Sequence, residues 1–307
     1  MITAKNCLLA SLLALLTLPA FSEIEKVSFR GWTDCYRMHN ETVEVIIHAA
    51  TGGRVLAYSI GGKNIIYADS LQDGKDFEEW QKERFDPDGG RLDYGPEGIT
   101  QKLHAATWMG PWQARIAGPY RLVLTSIRDQ DLGLYSQRVF TLSTEGSHLE
   151  ILQQAENISQ DTLIRHFWSR TLVRPGGVLT LPLDPEHSRF ASGYGQFEWR
   201  PNHINPQPEP DERIWVRGNV LHFHAVGSTI KAGSDSSAGW MGYQWENLLF
   251  IKRYPVSADA YYAGSEHMMG IFFSNGLFAE MEPCSPTYQI APGEKIVFTE
   301  HWEMIEL

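Results

Sequence analysis

The chain has 307 residues, of which 26 are Lys or Arg and 37 are Asp or Glu, so its formal net charge at pH 7 is −11. A chain this acidic lacks the basic surface that binds nucleic-acid phosphates or anionic membranes, and neither is expected as a partner. Ten Trp, 12 Tyr and 14 Phe make the chain rich in aromatic side chains. Such side chains fill large cores and also stack on the apolar faces of sugar rings, and composition leaves both roles open.

Residues 1–22 have the features of a secretory signal peptide. Lys5 supplies a positive charge, residues 7–18 form an apolar stretch too short to span a bilayer, and residues 20–22 (Ala-Phe-Ser) place small side chains at a cleavage point. The sequence therefore predicts a cleaved signal with no membrane anchor left after cleavage. The mature chain, 23–307, is expected to be secreted or periplasmic.

Glycine turns divide the beginning of the mature chain into three β-like runs. The runs cover 43–50, 54–60 and 64–67, and Gly52-Gly53 and Gly61-Gly62 lie between them. This alternation of β-run and glycine turn predicts an antiparallel meander. Further runs of similar composition follow at 120–127, 137–142, 148–157, 163–173, 178–183, 219–225, 248–252, 270–274, 277–282 and 295–304.

Only one segment, 74–84, has a helical pattern. Two long loop-rich regions, 85–119 and 184–217, interrupt the β-runs, and loops of that length inside a compact domain are usually functional. The pattern predicts an all-β chain that forms a single domain over 23–307.

Five segments of the mature chain carry a family resemblance. They are GGRVLAYSIGGKNIIY (52–67), DGGRLDYGPE (88–97), DLGLYSQRVFTL (131–142), LEILQQAENIS (149–159) and AEMEPCSPTYQIAPGEKIVFTEHWEM (279–304). In this order they resemble the galactose mutarotase-like (aldose 1-epimerase-like) superfamily, and in particular a bacterial branch whose function is unknown. The resemblance implies a single-domain antiparallel β-supersandwich.

The resemblance also implies a pair of catalytic side chains. Mutarotases use a His after the central meander as general acid and a Glu near the C-terminus as general base. His166 and Glu282 take those places, with Glu280 as the reserve for the base. A His with a pKa near neutral and an opposing carboxylate suit proton transfer at a sugar's ring oxygen and anomeric hydroxyl. Residues 165–170 read RHFWSR where the family has Asn-His-x-Tyr-Phe-Asn, and His104 is the nearest candidate for the family's second His.

Alternation along two strands is expected to bring further side chains to the catalytic pair. His166, Trp168 and Arg170 share one face of their strand, and Glu280 and Glu282 share one face of theirs. A sheet that brings these two faces together would place acid, base, cation and ring in one cleft.

Arginine and tryptophan side chains are the candidates for binding the ligand. Arg91 and Arg170 are predicted to position an anionic or polyhydroxyl ligand, because guanidinium groups bind carboxylates in a bidentate manner. Trp108 and Trp168 are predicted to stack on a sugar ring. The alternatives are surface ion pairs for the arginines and core packing for the tryptophans.

The sequence predicts no metal ion and no cofactor. His222 and His224 share a strand face without an identifiable third ligand, and the acidic residues of 86–93 lack the spacing of a calcium loop. Phosphate-binding and dinucleotide-binding motifs are absent from the sequence.

Two cysteines remain after the signal, Cys35 and Cys284, near opposite ends of the mature chain. An oxidising compartment would allow one disulfide between them, and two buried free thiols are the alternative.

The leading functional prediction is an exported protein that binds or acts on a sugar or polysaccharide, with aldose 1-epimerase-like proton transfer as the most concrete reaction. Two alternatives stay open, since related folds host different activities. One is a non-catalytic carbohydrate-binding module. The other is a polysaccharide lyase-like enzyme that acts on uronates. The sequence leaves open whether the protein is an enzyme at all.

Overall fold

The computed structural model describes residues 24–96, 105–198, 203–262 and 267–307. The predicted signal peptide and His104 lie outside these residues. The strands in chain order are β1 (Ile24–Phe29), β2 (Trp32–His39), β3 (Val43–His48), β4 (Arg54–Ile60), β5 (Lys63–Asn64), β6 (Gly90–Gly95), β7 (Gln113–Gly118), β8 (Arg121–Thr125), β9 (Leu134–Leu142), β10 (Leu149–Asn157), β11 (Leu163–Val173), β12 (Val178–Pro182), β13 (Gly195–Glu198), β14 (His203–Asn205), β15 (Ile214–Arg217), β16 (Val220–His224), β17 (Ile230–Ser234), β18 (Trp240–Trp245), β19 (Leu248–Arg253), β20 (Gly270–Ser274), β21 (Ala279–Pro283), β22 (Tyr288–Ile290) and β23 (Lys295–Glu306).

Helices are few in the described part of the chain. They are α1 (Phe77–Lys82), α2 (Ala105–Trp108) and a 3-10 turn at Ser70–Gln72. Asp76 caps α1 by accepting a hydrogen bond from the backbone N–H of Glu79, which satisfies one of the free donors at a helix start. None of these helices has the length and apolar character needed to cross a membrane.

The strands form two antiparallel sheets. The first has 13 strands in the order β1-β2-β3-β4-β6-β11-β21-β20-β17-β13-β14, with β5 beside β4 and β22 beside β11. The second has ten strands in the order β15-β16-β12-β18-β19-β23-β10-β9-β8-β7. The prediction of an all-β sandwich is confirmed.

The core lies between the two sheets, and β11 shows which side of the first sheet faces it. The ring of Phe167 stacks on Phe298 of β23 with their centroids 5.9 Å apart. Phe167, Phe298 and Met281 of β21 belong to one buried cluster. Because side chains alternate along a strand, Trp168 and Arg170 point to the opposite side, away from the second sheet. We call that side the outer face of the first sheet.

A buried polar network crosses the core behind the outer face. Lys252 Nζ lies 2.9 Å from Glu300 Oε2 and donates to Thr171 Oγ1 at 3.0 Å. Gln153 Nε2 donates to Glu300 Oε1 and to Ser169 Oγ, both at 2.7 Å. We call these five residues the interior network. It ties β11 to three strands of the second sheet.

The predicted runs correspond to observed strands, and the structure adds strands that were not predicted, among them β1, β2, β17 and β18. The meander is confirmed, since β3 pairs with β4 and β4 with β5. Each long loop contains strands: 85–119 holds β6 and β7, and 184–217 holds β13, β14 and β15. In β6, GRLDYG, the Arg and Asp alternate with Leu and Tyr, but the glycines at both ends make the segment resemble a turn.

Both cysteines are free and buried, which is the second of the two alternatives that the sequence allows. Cys35 packs in a small cluster with Trp32 and Leu56, and Cys284 packs in another with Trp168 and Met268. Burial raises the pKa of Cys35 to about 12 and raises that of Cys284 as well. The two thiols are therefore held in their protonated form.

Candidate functional site

Three neighbouring strands in the middle of the first sheet carry the candidate site. On β11, Arg170 lies opposite Arg91 of β6, and Trp168 lies opposite Asp93. On the other side, Leu172 of β11 lies opposite Glu280 of β21. The residues between these positions point into the core, so the strand alternation brings all the candidate side chains of β6, β11 and β21 to the outer face.

Asp93 is the centre of the cationic part of the site. Its Oδ2 accepts a hydrogen bond from Arg170 Nε and lies 3.3 Å from Arg91 Nε, while its Oδ1 accepts from the indole N–H of Trp108. Arg91 also donates to the carbonyl oxygen of Pro87, and its Nη2 lies 3.0 Å from Asp86 Oδ1. Both arginines predicted to bind the ligand are therefore already neutralised by carboxylates of the protein.

The charge environment keeps Arg170 protonated. Burial by itself would lower the pKa of the Arg170 guanidinium, but the nearby carboxylates of Asp93 and Glu280 outweigh it and raise the pKa above its usual value. The cation is a permanent feature of the site.

The two glutamates of β21 have different surroundings. Glu282 Oε2 accepts a hydrogen bond from Trp168 Nε1 at 2.7 Å and lies 3.2 Å from Lys231 Nζ. The nearest cation to Glu280 is Arg91, whose Nη2 is 3.8 Å from Oε1. Burial is the largest cause that raises the pKa of Glu280, to about 8; Arg170 opposes the rise and Glu282 adds to it. At neutral pH Glu280 is mostly an uncharged carboxylic acid.

His166 lies on the same face but farther along β11. It is opposite Gly95, and a Cβ atom on Gly95 would lie 2.0 Å from Cε1 and Nε2 of the imidazole. Only glycine therefore leaves room for the ring there. Burial lowers the pKa of His166 to about 4, so the imidazole is neutral at pH 7. The near-neutral pKa that the sequence predicts for this residue is not found, because no carboxylate of the described residues offsets its burial.

The tryptophan rings of the site are covered by cations. Arg170 lies 4.5 Å and Lys231 lies 4.6 Å from the ring centroid of Trp168. Arg91 and Arg170 lie 4.8 Å and 5.5 Å from that of Trp108. Trp168 is only 5% exposed, so it is not an open platform for a sugar ring as the sequence predicts. Its contribution to the site is the indole N–H that holds Glu282.

The structure brings six of the seven residues predicted for the site into one set of contacts: Arg91, Trp108, Trp168, Arg170, Glu280 and Glu282. His166 lies on the same face, but Trp168 lies between it and the row that contains Arg170. The sequence misses Asp93 and Lys231. Asp93 is two residues after Arg91, so alternation within 88–97 would have identified it. Lys231 lies on β17, two strands beyond β21, and nothing local in its sequence marks it.

Three of the eight buried side-chain atoms that make no hydrogen bond among the described residues lie on this face: Arg91 Nη2, His166 Nδ1 and Glu282 Oε1. Of these three, Arg91 Nη2 is in an ion pair with Asp86. Such atoms are uncommon in folded proteins and call for a ligand or water. In the described ranges no group of three His, Cys, Asp or Glu side chains is arranged to hold a metal ion.

Comparison with solved structures identifies the fold. A galactose mutarotase-like protein from Lactobacillus casei ATCC 334 superposes with a TM-score of 0.62 at 9% identity, over 89% of this chain and 100% of that one. One from Clostridium acetobutylicum superposes with a TM-score of 0.58 at 11% identity, over 92% of this chain and 98% of the other. A galactose mutarotase related enzyme from Lactobacillus acidophilus gives 0.57 at 8% identity, over 89% and 97%. No protein-family model matches the sequence, and no curated protein matches it.

The two sheets therefore form a sandwich of the galactose mutarotase-like class. This chain has the galactose mutarotase-like fold, and identities of this size establish the fold alone.

Proposed function

We propose that the protein is an exported enzyme that interconverts the anomers of a neutral sugar by aldose 1-epimerase-like proton transfer. The observation that carries the proposal is a pair of buried atoms without a hydrogen bond on one face of the sheet, His166 Nδ1 and Glu282 Oε1. Sugar hydroxyl groups both donate and accept hydrogen bonds, so one sugar ring can satisfy both groups.

Glu282 is the general base in this proposal. Its Oε2 is occupied by Trp168 and Lys231, while Oε1 is free to accept the proton of the anomeric hydroxyl. As that proton leaves, the bond between the anomeric carbon and the ring oxygen breaks and the ring oxygen takes up a proton. The open aldehyde then rotates and recloses on either face.

Glu280 is the better proton donor. A neutral imidazole with a pKa of about 4 is a poor acid at pH 7, whereas Glu280, with a pKa of about 8, carries a proton there. Two carboxyl groups with different environments provide an acid and a base on one strand. His166 then contributes a hydrogen bond to the sugar rather than the proton that the sequence assigns to it.

The charge balance favours a neutral sugar over a uronate. With Glu280 protonated, the carboxylates of Asp86, Asp93 and Glu282 face the cations of Arg91, Arg170 and Lys231, so the ionised groups balance. A lyase acting on uronates needs an uncompensated cation beside the substrate carboxylate. The arginines here are committed to protein carboxylates instead.

The test is the rate of α/β interconversion of a panel of neutral aldoses, measured by NMR saturation transfer. Glu282→Gln is expected to lower kcat at least about 100-fold, the usual contribution of a general base. In the wild type the rate should fall as the pH rises through about 8, because Glu280 then loses its proton, and Glu280→Gln should remove this limb together with most of the rate.

Glu156→Gln is the matched control, because Glu156 pairs with Lys295 on the second sheet. Its rate should equal that of the wild type. If the wild type binds sugars but accelerates no interconversion, and Glu282→Gln binds equally well, the protein is a carbohydrate-binding module and the proposal is wrong.

A further inference from the structure

Lys231 reaches the candidate base from outside the three site strands. It lies on β17 opposite Phe273 of β20, which in turn lies opposite Glu280 of β21. From that row its Nζ extends diagonally to Glu282 Oε2, at 3.2 Å. The side chain passes Trp168 and Phe197, with Nζ 4.6 Å and 5.3 Å from their ring centroids. It is only 12% exposed, so its ammonium group is held in place.

The contacts of Glu282 divide its two oxygens. Oε2 receives both the indole N–H of Trp168 and the ammonium of Lys231, and Oε1 has no partner among the described residues. A carboxylate anchored through one oxygen presents the other in a fixed direction. Of the two anchors only Lys231 carries a charge, so only it can offset the cost of burying a carboxylate.

The other cations near Glu282 are paired with other carboxylates. Arg170 on β11 is bonded to Asp93, and Lys252 is bonded to Glu300 on the core side of the sheet.

We propose that Lys231 is the positioning residue of the site, which keeps Glu282 ionised and turns its Oε1 toward the substrate. This inference rests on the proposed role of Glu282 as the base. No feature of the sequence assigns a role to Lys231.

The experiment is ¹³C NMR of the Glu282 carboxyl group at pH 7, assigned by its absence in Glu282→Gln, together with the pH profile of kcat/KM. In Lys231→Met the carboxyl signal should move toward the position of a protonated acid, and the acid limb of the kcat/KM profile should move to higher pH. Well below that limb, a move of one pH unit lowers kcat/KM about tenfold. Lys231→Arg should restore both values. Lys295→Met, which removes a lysine paired with Glu156 on the second sheet, should change neither.

An unchanged Glu282 carboxyl signal in folded Lys231→Met overturns the proposal. If that variant does not fold, the pair is followed from the other side: the hydrogens on Lys231 Nζ, observed by ¹⁵N NMR, should exchange with solvent faster in Glu282→Gln, and an unchanged exchange rate overturns the proposal as well. A wild type without interconversion activity rejects the proposed function alone, because both NMR measurements still report whether Lys231 pairs with Glu282.

Discussion

The burial of His166 makes the stability of the folded protein depend on pH. His166 stays neutral in the folded protein until about pH 4, whereas an unfolded chain binds its proton near pH 6.5. Between those values the unfolded state holds more protons, so the stability that His166 contributes is fully present above pH 6.5. It is lost as the pH falls through 4.

We predict that acid destabilises the wild type more than His166→Leu over this range. The shift corresponds to at most about 3 kcal/mol, since one pKa unit equals about 1.4 kcal/mol. The measurement is the free energy of unfolding in urea at pH 7 and at pH 4.5. His48 also has a pKa lowered to about 4 by burial, so the wild-type slope contains both residues and only the difference between the two proteins reports on His166. Parallel pH curves would contradict the prediction.

At the scale of elements, β11 belongs to two polar systems at once. Trp168 and Arg170 face the site, while Ser169 and Thr171, which alternate with them, bond to the interior network. The Lys252–Glu300 pair at the centre of that network is buried. A buried ion pair contributes little net stability, but removing one partner leaves the other charge buried and unpaired, which is strongly destabilising.

We therefore predict strong non-additivity at this pair. Lys252→Met alone should lower the free energy of unfolding by about 3–5 kcal/mol, because it leaves Glu300 buried without its cation. Adding Glu300→Gln should recover more than half of that loss. A double-mutant cycle by urea unfolding measures the coupling between the two substitutions. If their separate losses of unfolding free energy simply add in the double variant, the two residues act independently.

The sequence predicted β11 with its observed bounds, 163–173, because most of its side chains are apolar or aromatic. It missed β6 because Arg91, Asp93 and two glycines resemble a turn, and their extended conformation is set by pairing with β11. The sequence also could not predict the protonation states of the site residues. Burial decides whether Glu280 holds a proton and His166 loses one, and burial depends on strands far apart in the sequence. The residue pattern thus indicated which side chains share a face, and whether His166 or Glu280 is the acid stays a prediction.

At the scale of the whole molecule, the order of weak motifs along the chain predicted the fold better than any one of them. The neighbours of β11 come from both ends of the described chain, β6 on one side and β21 on the other. Periodicity alone could not have paired them. Lys231 reaches the site because β20 and β17 continue the first sheet beyond β21.

Cys35 and Cys284 lie in separate clusters of the folded molecule, and we predict that neither reacts with a thiol reagent until the chain unfolds. Burial raises both pKa values and so suppresses the thiolate that reacts. Alkylation in denaturant without reductant, followed by peptide mapping, should label both residues, and alkylation under native conditions should label neither. Absence of label in denaturant would reveal a disulfide.

Free thiols have a consequence for how the chain reaches its folded state. A protein without a covalent cross-link between its first and last strands requires no oxidising catalyst or disulfide isomerase. Residues 23–307 should therefore reach the same folded state under reducing and under oxidising conditions.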